Sequence, residues 1–150
     1  MEIYSWNVNG IRSVAKKGFE SWFNSTKPEI LCLQEVRAEK DQLPEFLHDI
    51  EGYYSFWNPC QKKKGYSGVG ILSQIEPDEV NYGMGIDEFD EEGRIVQLVF
   101  PDWVLNSVYF PNGGQGEERL DYKLRFYDAF LENSLQWLEQ GKHVITLGDY

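Results

Sequence analysis

His143-Val144-Ile145-Thr146-Leu147-Gly148-Asp149-Tyr150 decides how this chain is read, because an apolar, strand-like run ends there on a glycine and a carboxylate. A buried strand fixes its last residue while the loop beyond it can open, so ligands of α/β sheets gather at the carboxyl ends of strands. Asp149 is therefore either a turn residue, the common use of Asp beside Gly, or a group that does chemistry. The same arrangement recurs upstream. Ile30-Leu31-Cys32-Leu33 delivers Gln34 and Glu35. Ile3 to Val8 delivers Asn7, with Asn9-Gly10 behind it, and Val104 to Phe110 delivers Tyr109, with Pro111-Asn112-Gly113 behind it. Each of these residues also has a plain structural use, as an exposed acid, a core aromatic or an Asn-Gly turn.

Between these runs the pattern predicts further strands over Tyr53 to Asn58, Gly68 to Ser73 and Arg94 to Phe100. Three helices are expected. The first surrounds Phe19-Glu20-Ser21-Trp22-Phe23 and stops at Lys27-Pro28, since proline cannot continue a helix. The second runs near Asp41 to Ile50. The third carries Leu120, Leu124, Tyr127, Leu131, Leu135 and Leu138 at helical spacing, the stripe expected to pack on a sheet, with Gly141 closing its end. No repeat, low-complexity segment or linker divides the chain, and strands mixed with helices in this order define an α/β protein with a mixed sheet.

Composition narrows the function. With 41% hydrophobic and 15% aromatic residues the 150-residue chain can build a core. No apolar run approaches the roughly 20 residues that span a bilayer, and Met1-Glu2-Ile3-Tyr4 is not a signal peptide, so no membrane partner and a cytoplasmic location are expected. Cys32 and Cys60 have neither metal-site nor disulfide spacing. A formal net charge of −11 argues against a surface that attracts nucleic acid everywhere. Local sign differs: Lys62-Lys63-Lys64 runs straight into Gly65-Tyr66-Ser67-Gly68, a basic loop with an aromatic tip, although such a run is as readily a solvated one.

Asn7, Glu35, Tyr109 and Asp149, all at strand ends, form a set able to hold one hard divalent cation through oxygen and to place a phosphate beside it. Six segments then resemble, in order, one family: Ser5-Trp6-Asn7-Val8-Asn9-Gly10, Leu33-Gln34-Glu35, Gly65-Tyr66-Ser67-Gly68-Val69-Gly70, Glu92-Gly93-Arg94-Ile95, Tyr109-Phe110-Pro111-Asn112-Gly113 and Gly148-Asp149. They look like the exonuclease III class of apurinic/apyrimidinic (AP) endonucleases, within the endonuclease/exonuclease/phosphatase superfamily. The resemblance implies a four-layer α/β sandwich, two mixed β-sheets flanked by helices, of which residues 1–150 are the amino-terminal half, the carboxyl-terminal half being absent.

The same resemblance implies a DNA-repair phosphodiesterase that nicks the backbone 5′ to abasic sites and also removes 3′ nucleotides or 3′ blocks. Its partner would be double-stranded DNA and its cofactor Mg²⁺ or Mn²⁺, and the full-length protein would be a monomer. Glu35 would bind the metal with Asn7 and Asp149 beside it. Asp149 would activate water, and Tyr109 would bond the scissile phosphate or the leaving oxygen. Asn9, Arg12, Tyr66, Asn112 and Arg119 would contact DNA. The family's Gly-Asp-x-Asn motif breaks off here before its Asn, and its distal Ser-Asp-His segment is missing. His48, expected in the second helix, and His143, at the start of the last strand, read as structural or surface residues. The second sheet is also expected beyond residue 150, which would leave the first with a bare apolar face and the chain inactive and poorly soluble. A non-catalytic DNA-binding half-domain and a phosphodiesterase acting on RNA or phosphoinositides are the alternatives.

Overall fold

All seven expected strands form, and an eighth joins them, in a computed structural model that describes residues 1–150. Four make sheet A: β1 (Ile3–Asn7), β2 (Ile30–Gln34), β3 (Tyr54–Asn58) and β4 (Val69–Ser73), in the spatial order β1-β2-β4-β3. The others make sheet B: β5 (Glu79–Asn81), β6 (Ile95–Val99), β7 (Trp103–Tyr109) and β8 (His143–Asp149), laid out in chain order. The expectation of a second sheet beyond residue 150 is thus overturned. Strand patterns mark which residues are extended, not which sheet a strand joins, and β5 to β8 fold over sheet A within this chain.

The faces of the two sheets that meet are mostly apolar. Ile30, Cys32, Val69 and Ile71 from sheet A pack on Val96, Leu98 and Leu105 from sheet B, and all of these are buried. Sheet A covers its outer face with α1 (Ile11–Ala15) and α2 (Phe19–Thr26), where Trp6, Phe19, Trp22 and Phe23 form an aromatic layer. Sheet B covers its outer face with α3 (Asp87–Asp90) and α4 (Glu117–Glu139). The result is four layers: helices, sheet, sheet, helices. β1 runs parallel to β2 and β7 parallel to β8, so four carboxyl-terminal strand ends lie along one rim of the sandwich.

Two helical expectations are corrected. Asp41 to Ile50 is not one helix but two 3₁₀ turns, Lys40–Gln42 and Glu45–Leu47, because Pro44 between them lacks an N–H and forces its predecessor out of helical geometry. His48 therefore follows a 3₁₀ turn, its Nε2 lying 2.9 Å from the Leu43 carbonyl, while His143 opens β8 and is exposed. α4 forms as expected and Gly141 follows it with a positive φ, but its leucine stripe faces solvent: Leu131 is 58% exposed and Leu124 56%. The helix instead buries Tyr122, Phe126 and Phe130 against Phe89, Phe110 and Val108. Its leucines and its aromatics both recur at helical spacing, and larger aromatic rings bury more apolar surface each.

Candidate active site

The rim of parallel strand ends is where the polar residues converge. Asn7 ends β1 and Glu35 follows β2, both from sheet A, while Tyr109 ends β7 and Asp149 ends β8, both from sheet B. Two hydrogen bonds join the sheets here: Asn7 Nδ2 donates to Asp149 Oδ2 at 2.7 Å, and the Tyr109 hydroxyl donates to Glu35 Oε1 at 2.7 Å. Just below, Gln34 Nε2 donates to Ser107 Oγ at 3.2 Å, and both residues are buried, so a third polar link anchors the pair of sheets under the site. Gly148 lets β8 approach, since a methyl group there would run into the Val108 carbonyl oxygen.

The loops around the rim hold one another. Gly10 N donates to Glu35 O, Val36 N to Gly68 O, Arg37 N to Ser67 O and Gly68 N to Gly93 O, at 2.8 to 3.1 Å. Four of the five non-glycine residues with positive φ, Asn9, Glu35, Arg37 and Ser67, belong to these loops. Such a conformation costs roughly 1–2 kcal/mol per residue, so the interlocked backbone holds these side chains against their own preference, as functional sites often do.

Electrostatics sort the groups. Glu35 is drawn up by burial, but hydrogen bonds from Tyr109, Asn7 and Arg37 and the Arg37 charge more than offset this, leaving its carboxyl below the ordinary range. The Arg37 guanidinium donates to the same Glu35 Oε1 at 3.0 Å. Burial, then the Glu35 hydrogen bond and charge, push the Tyr109 phenol far above its usual value, so it stays a donor. Behind Tyr109 lies a buried ion cluster. Arg94, with a side chain 1% exposed, donates to Glu92, to the Tyr109 carbonyl and to the Tyr66 hydroxyl, and Arg119 donates to both Glu92 oxygens at 3.0 and 3.2 Å. Burial lifts Glu92, but the Arg119 and Arg94 hydrogen bonds and charges win and hold it low.

Two clefts open near the rim. One, of about 290 Å³, is lined by Tyr109, Asn112, Lys123 and Asp149, and Asn112 Oδ1 there accepts the Gly114 N–H at 2.8 Å. The other, of about 430 Å³, is lined by Lys62, Lys63, Tyr66, Glu92, Gln115 and Arg119. Asn9 gives its N–H to Asn7 Oδ1, and the exposed Arg12 reaches the Arg37 carbonyl. The sequence reading therefore finds Asn7, Glu35, Tyr109 and Asp149 in one cluster, Tyr66 with Arg119 and the lysines in a second, and Asn112 beside the first. It gave no role to Arg37, Glu92, Arg94 or Ser107. A Glu-Gly-Arg at a strand start signals a salt bridge only once the strand's neighbours are known.

As donors to a cation, Asn7, Glu35 and Asp149 offer hard oxygen. Tyr109 and Arg37 both take Glu35 Oε1, which leaves Oε2 as a ligand. No three His, Cys, Asp or Glu side chains cluster at the rim.

The fold and its rim define a class of protein: a four-layer α/β sandwich with two carboxylates, an amide and a phenol gathered at the strand ends. The chain belongs to the Endonuclease/Exonuclease/phosphatase family, whose model matches residues 4–150. It is 41% identical over 152 residues to an exodeoxyribonuclease of Bacillus subtilis, covering 99% of this chain and 58% of that protein. It is 39% identical over 150 residues to the DNA repair nuclease APEX1 of Danio rerio, covering 99% of this chain and 48% of that one. Its fold matches an AP endonuclease from Archaeoglobus fulgidus with a TM-score of 0.81 at 29% identity, over 99% of this chain and 56% of the other. The chain thus spans about half the length of these relatives.

Proposed function

We propose that the whole protein is a divalent-metal-dependent DNA-repair phosphodiesterase, cleaving the backbone 5′ to abasic sites and acting on 3′ ends. The observation that carries this reading is the pair of cross-sheet hydrogen bonds, Asn7 to Asp149 and Tyr109 to Glu35, which hold two carboxylates, an amide and a protonated phenol at one rim. Asp149, held by Asn7 through one oxygen, keeps the other to align a water molecule and take its proton. Tyr109 offers a hydroxyl that burial and Glu35 keep protonated, suited to bonding a phosphoryl or leaving oxygen as charge builds there. Asn7, Glu35 and Asp149 would hold Mg²⁺ or Mn²⁺, which when bound neutralises charge on the phosphoryl oxygens. Lys62, Lys63, Tyr66 and Arg119 border the second cleft, and with Asn9, Arg12 and Asn112 they provide cations and amides for a DNA backbone.

The relatives' names supply the substrate class, since one is a DNA repair nuclease and another an AP endonuclease. A second reading, DNA binding without cleavage by these 150 residues alone, draws support from the chain's spanning only about half the length of its nuclease relatives. Incision of a duplex with one abasic site, with Mg²⁺ or with EDTA, separates the two. We expect Mg²⁺-dependent nicking by the whole protein and metal-independent binding with little nicking by residues 1–150. Failure of the whole protein to nick would overturn the first reading. Turnover by residues 1–150, lost in Asp149→Ala, would overturn the second.

A further inference from the structure

The face of sheet B that meets α4 carries one row of polar residues flanked by mostly apolar positions. Asn81, Gln97, Asn106 and Thr146 stand opposite one another across β5, β6, β7 and β8. Their neighbours in register are Ile95, Val108 and Gly148 on one side and Val99, Val104 and Val144 on the other, with the exposed Glu79 at the β5 edge of the second. Gln97, 2% exposed, sits at the centre of the row and makes all four hydrogen bonds its amide can make. Its Nε2 donates to Asn106 Oδ1 at 2.7 Å and to Asn133 Oδ1 at 3.0 Å, and its Oε1 accepts from Asn81 Nδ2 at 3.0 Å and from Trp137 Nε1 at 3.1 Å.

At its pocket end the row presents polar atoms that no protein group pairs. Asn81 spends one N–H on Gln97, leaving its carbonyl oxygen unpaired, and Asn133 spends its oxygen, leaving both N–H groups unpaired. These two fixed amides, one offering an acceptor and the other donors, line a pocket of about 420 Å³ together with Tyr82, Gln136, Trp137 and Gln140. The side-chain amides of Gln136 and Gln140 hydrogen-bond no protein group. No lysine or arginine lines the pocket, and its single carboxylate, Asp90, is occupied by the N–H groups of Met84, Gly85 and Ile86. The active-site rim lies elsewhere, since the pocket opens beside the edge strand β5 and the last turns of α4.

We infer that this pocket binds a nucleobase or nucleoside without its phosphate. Base edges place a donor next to an acceptor, which side-chain amides match, and two aromatic rings offer stacking faces. The lack of a cation, in a chain of net charge −11, disfavours any ligand carrying phosphate.

Saturation-transfer NMR on the 150-residue protein with adenosine, cytidine, adenosine monophosphate and glucose tests this at micromolar protein. We expect saturation of base protons for adenosine or cytidine, with a Kd of about millimolar, and at least about fivefold less for the monophosphate. Asn133→Leu should weaken the signal at least about fivefold, the worth of one amide-to-base contact. Because that change touches the buried row, Gln136→Leu, at an exposed position, should also weaken it while leaving the unfolding midpoint unchanged. The inference is overturned by absence of transfer to either nucleoside, by equal transfer to glucose or to the monophosphate, or by signals that survive both substitutions in folded protein.

Discussion

Sheet B carries two polar regions that obey opposite rules. At the carboxyl ends of β7 and β8 the groups are ionisable, reach solvent and link to sheet A through Asn7 and Glu35. Midway along the same strands Asn106 and Thr146 are neutral, and through Gln97 on β6 their row links to α4 at Asn133 and Trp137. A carboxylate can stand at a strand end because water, or a cation, compensates it there, whereas inside the sheet polar groups are tolerated as neutral ones that hydrogen-bond one another. Glu92 and Arg94 cross this divide, being charged and buried, and they survive because each finds the other and Arg119 shares the acid. The difference teaches that polarity in this sheet follows access to compensation, not distance from the active site.

The divide is broken most severely at Glu92. Glu92→Ala leaves the Arg94 guanidinium buried without its counter-ion, and loss of one partner from a buried pair costs about 3–5 kcal/mol. Urea unfolding should show that loss, and stability of the unaltered chain should fall in acid for the same reason. Glu92 is held below its ordinary pKa in the folded state, so the unfolded chain binds its proton first. Its contribution is complete above an unfolded carboxyl value of about 4.3 and is lost as pH falls through the lower folded value. A chain whose stability is flat with acid, in wild type and Glu92→Ala alike, would show that the cluster does not bear on folding.

Asp149 tests the open side of the comparison. It is exposed, so Asp149→Asn should scarcely alter unfolding, yet incision of an abasic-site duplex by the whole protein should drop about 10²–10⁴-fold, the usual worth of a general base. The closed side responds inversely. Gln97→Leu strips partners from Asn106 and Asn133 inside and from Asn81 and Trp137 at the pocket, for about 1–3 kcal/mol of stability per group left dry. Asn106→Leu added to it should restore part of that loss, because replacing both members of a buried pair with apolar groups removes the unsatisfied one. Incision should be unchanged in either variant. Loss of incision with Gln97→Leu in folded protein would join the two regions that the comparison separates.

Much of the rim was legible in the sequence because it rests on local facts: an apolar run names a strand, and the residue after the run names what the strand presents. Asn7, Glu35, Tyr109 and Asp149 were found that way. What was hidden depends on pairing across the chain. Asn81, Gln97, Asn106 and Thr146 look like polar residues on unrelated strands until register sets them in one row. The partition of strands between two sheets, the Glu92-Arg94-Arg119 cluster and the Gln34–Ser107 link are likewise products of long-range contact. Pro44 shows the reverse failure, a local stop within a pattern that otherwise reads as helix.

α4 packs on the sheet that carries both polar regions and yields the smallest expected effect. Its leucines and its aromatics each form an apolar stripe, so hydrophobic pattern alone permits either to face the sheet. Burying the leucine side would withdraw Asn133 and Trp137 from Gln97 and leave the amide row without its helical partners, at about 1–3 kcal/mol for each buried group unsatisfied. The row thereby selects the face that packs. If so, Leu131→Gln, at a position 58% exposed, should change stability by no more than about 0.5 kcal/mol. Phe126→Ala, at a fully buried position on the same helix, should cost about 3–5 kcal/mol. Urea denaturation of the two variants reads the ratio directly. A loss in Leu131→Gln comparable to that in Phe126→Ala would place the leucine stripe against the sheet and deny the amide row its role in orienting the helix.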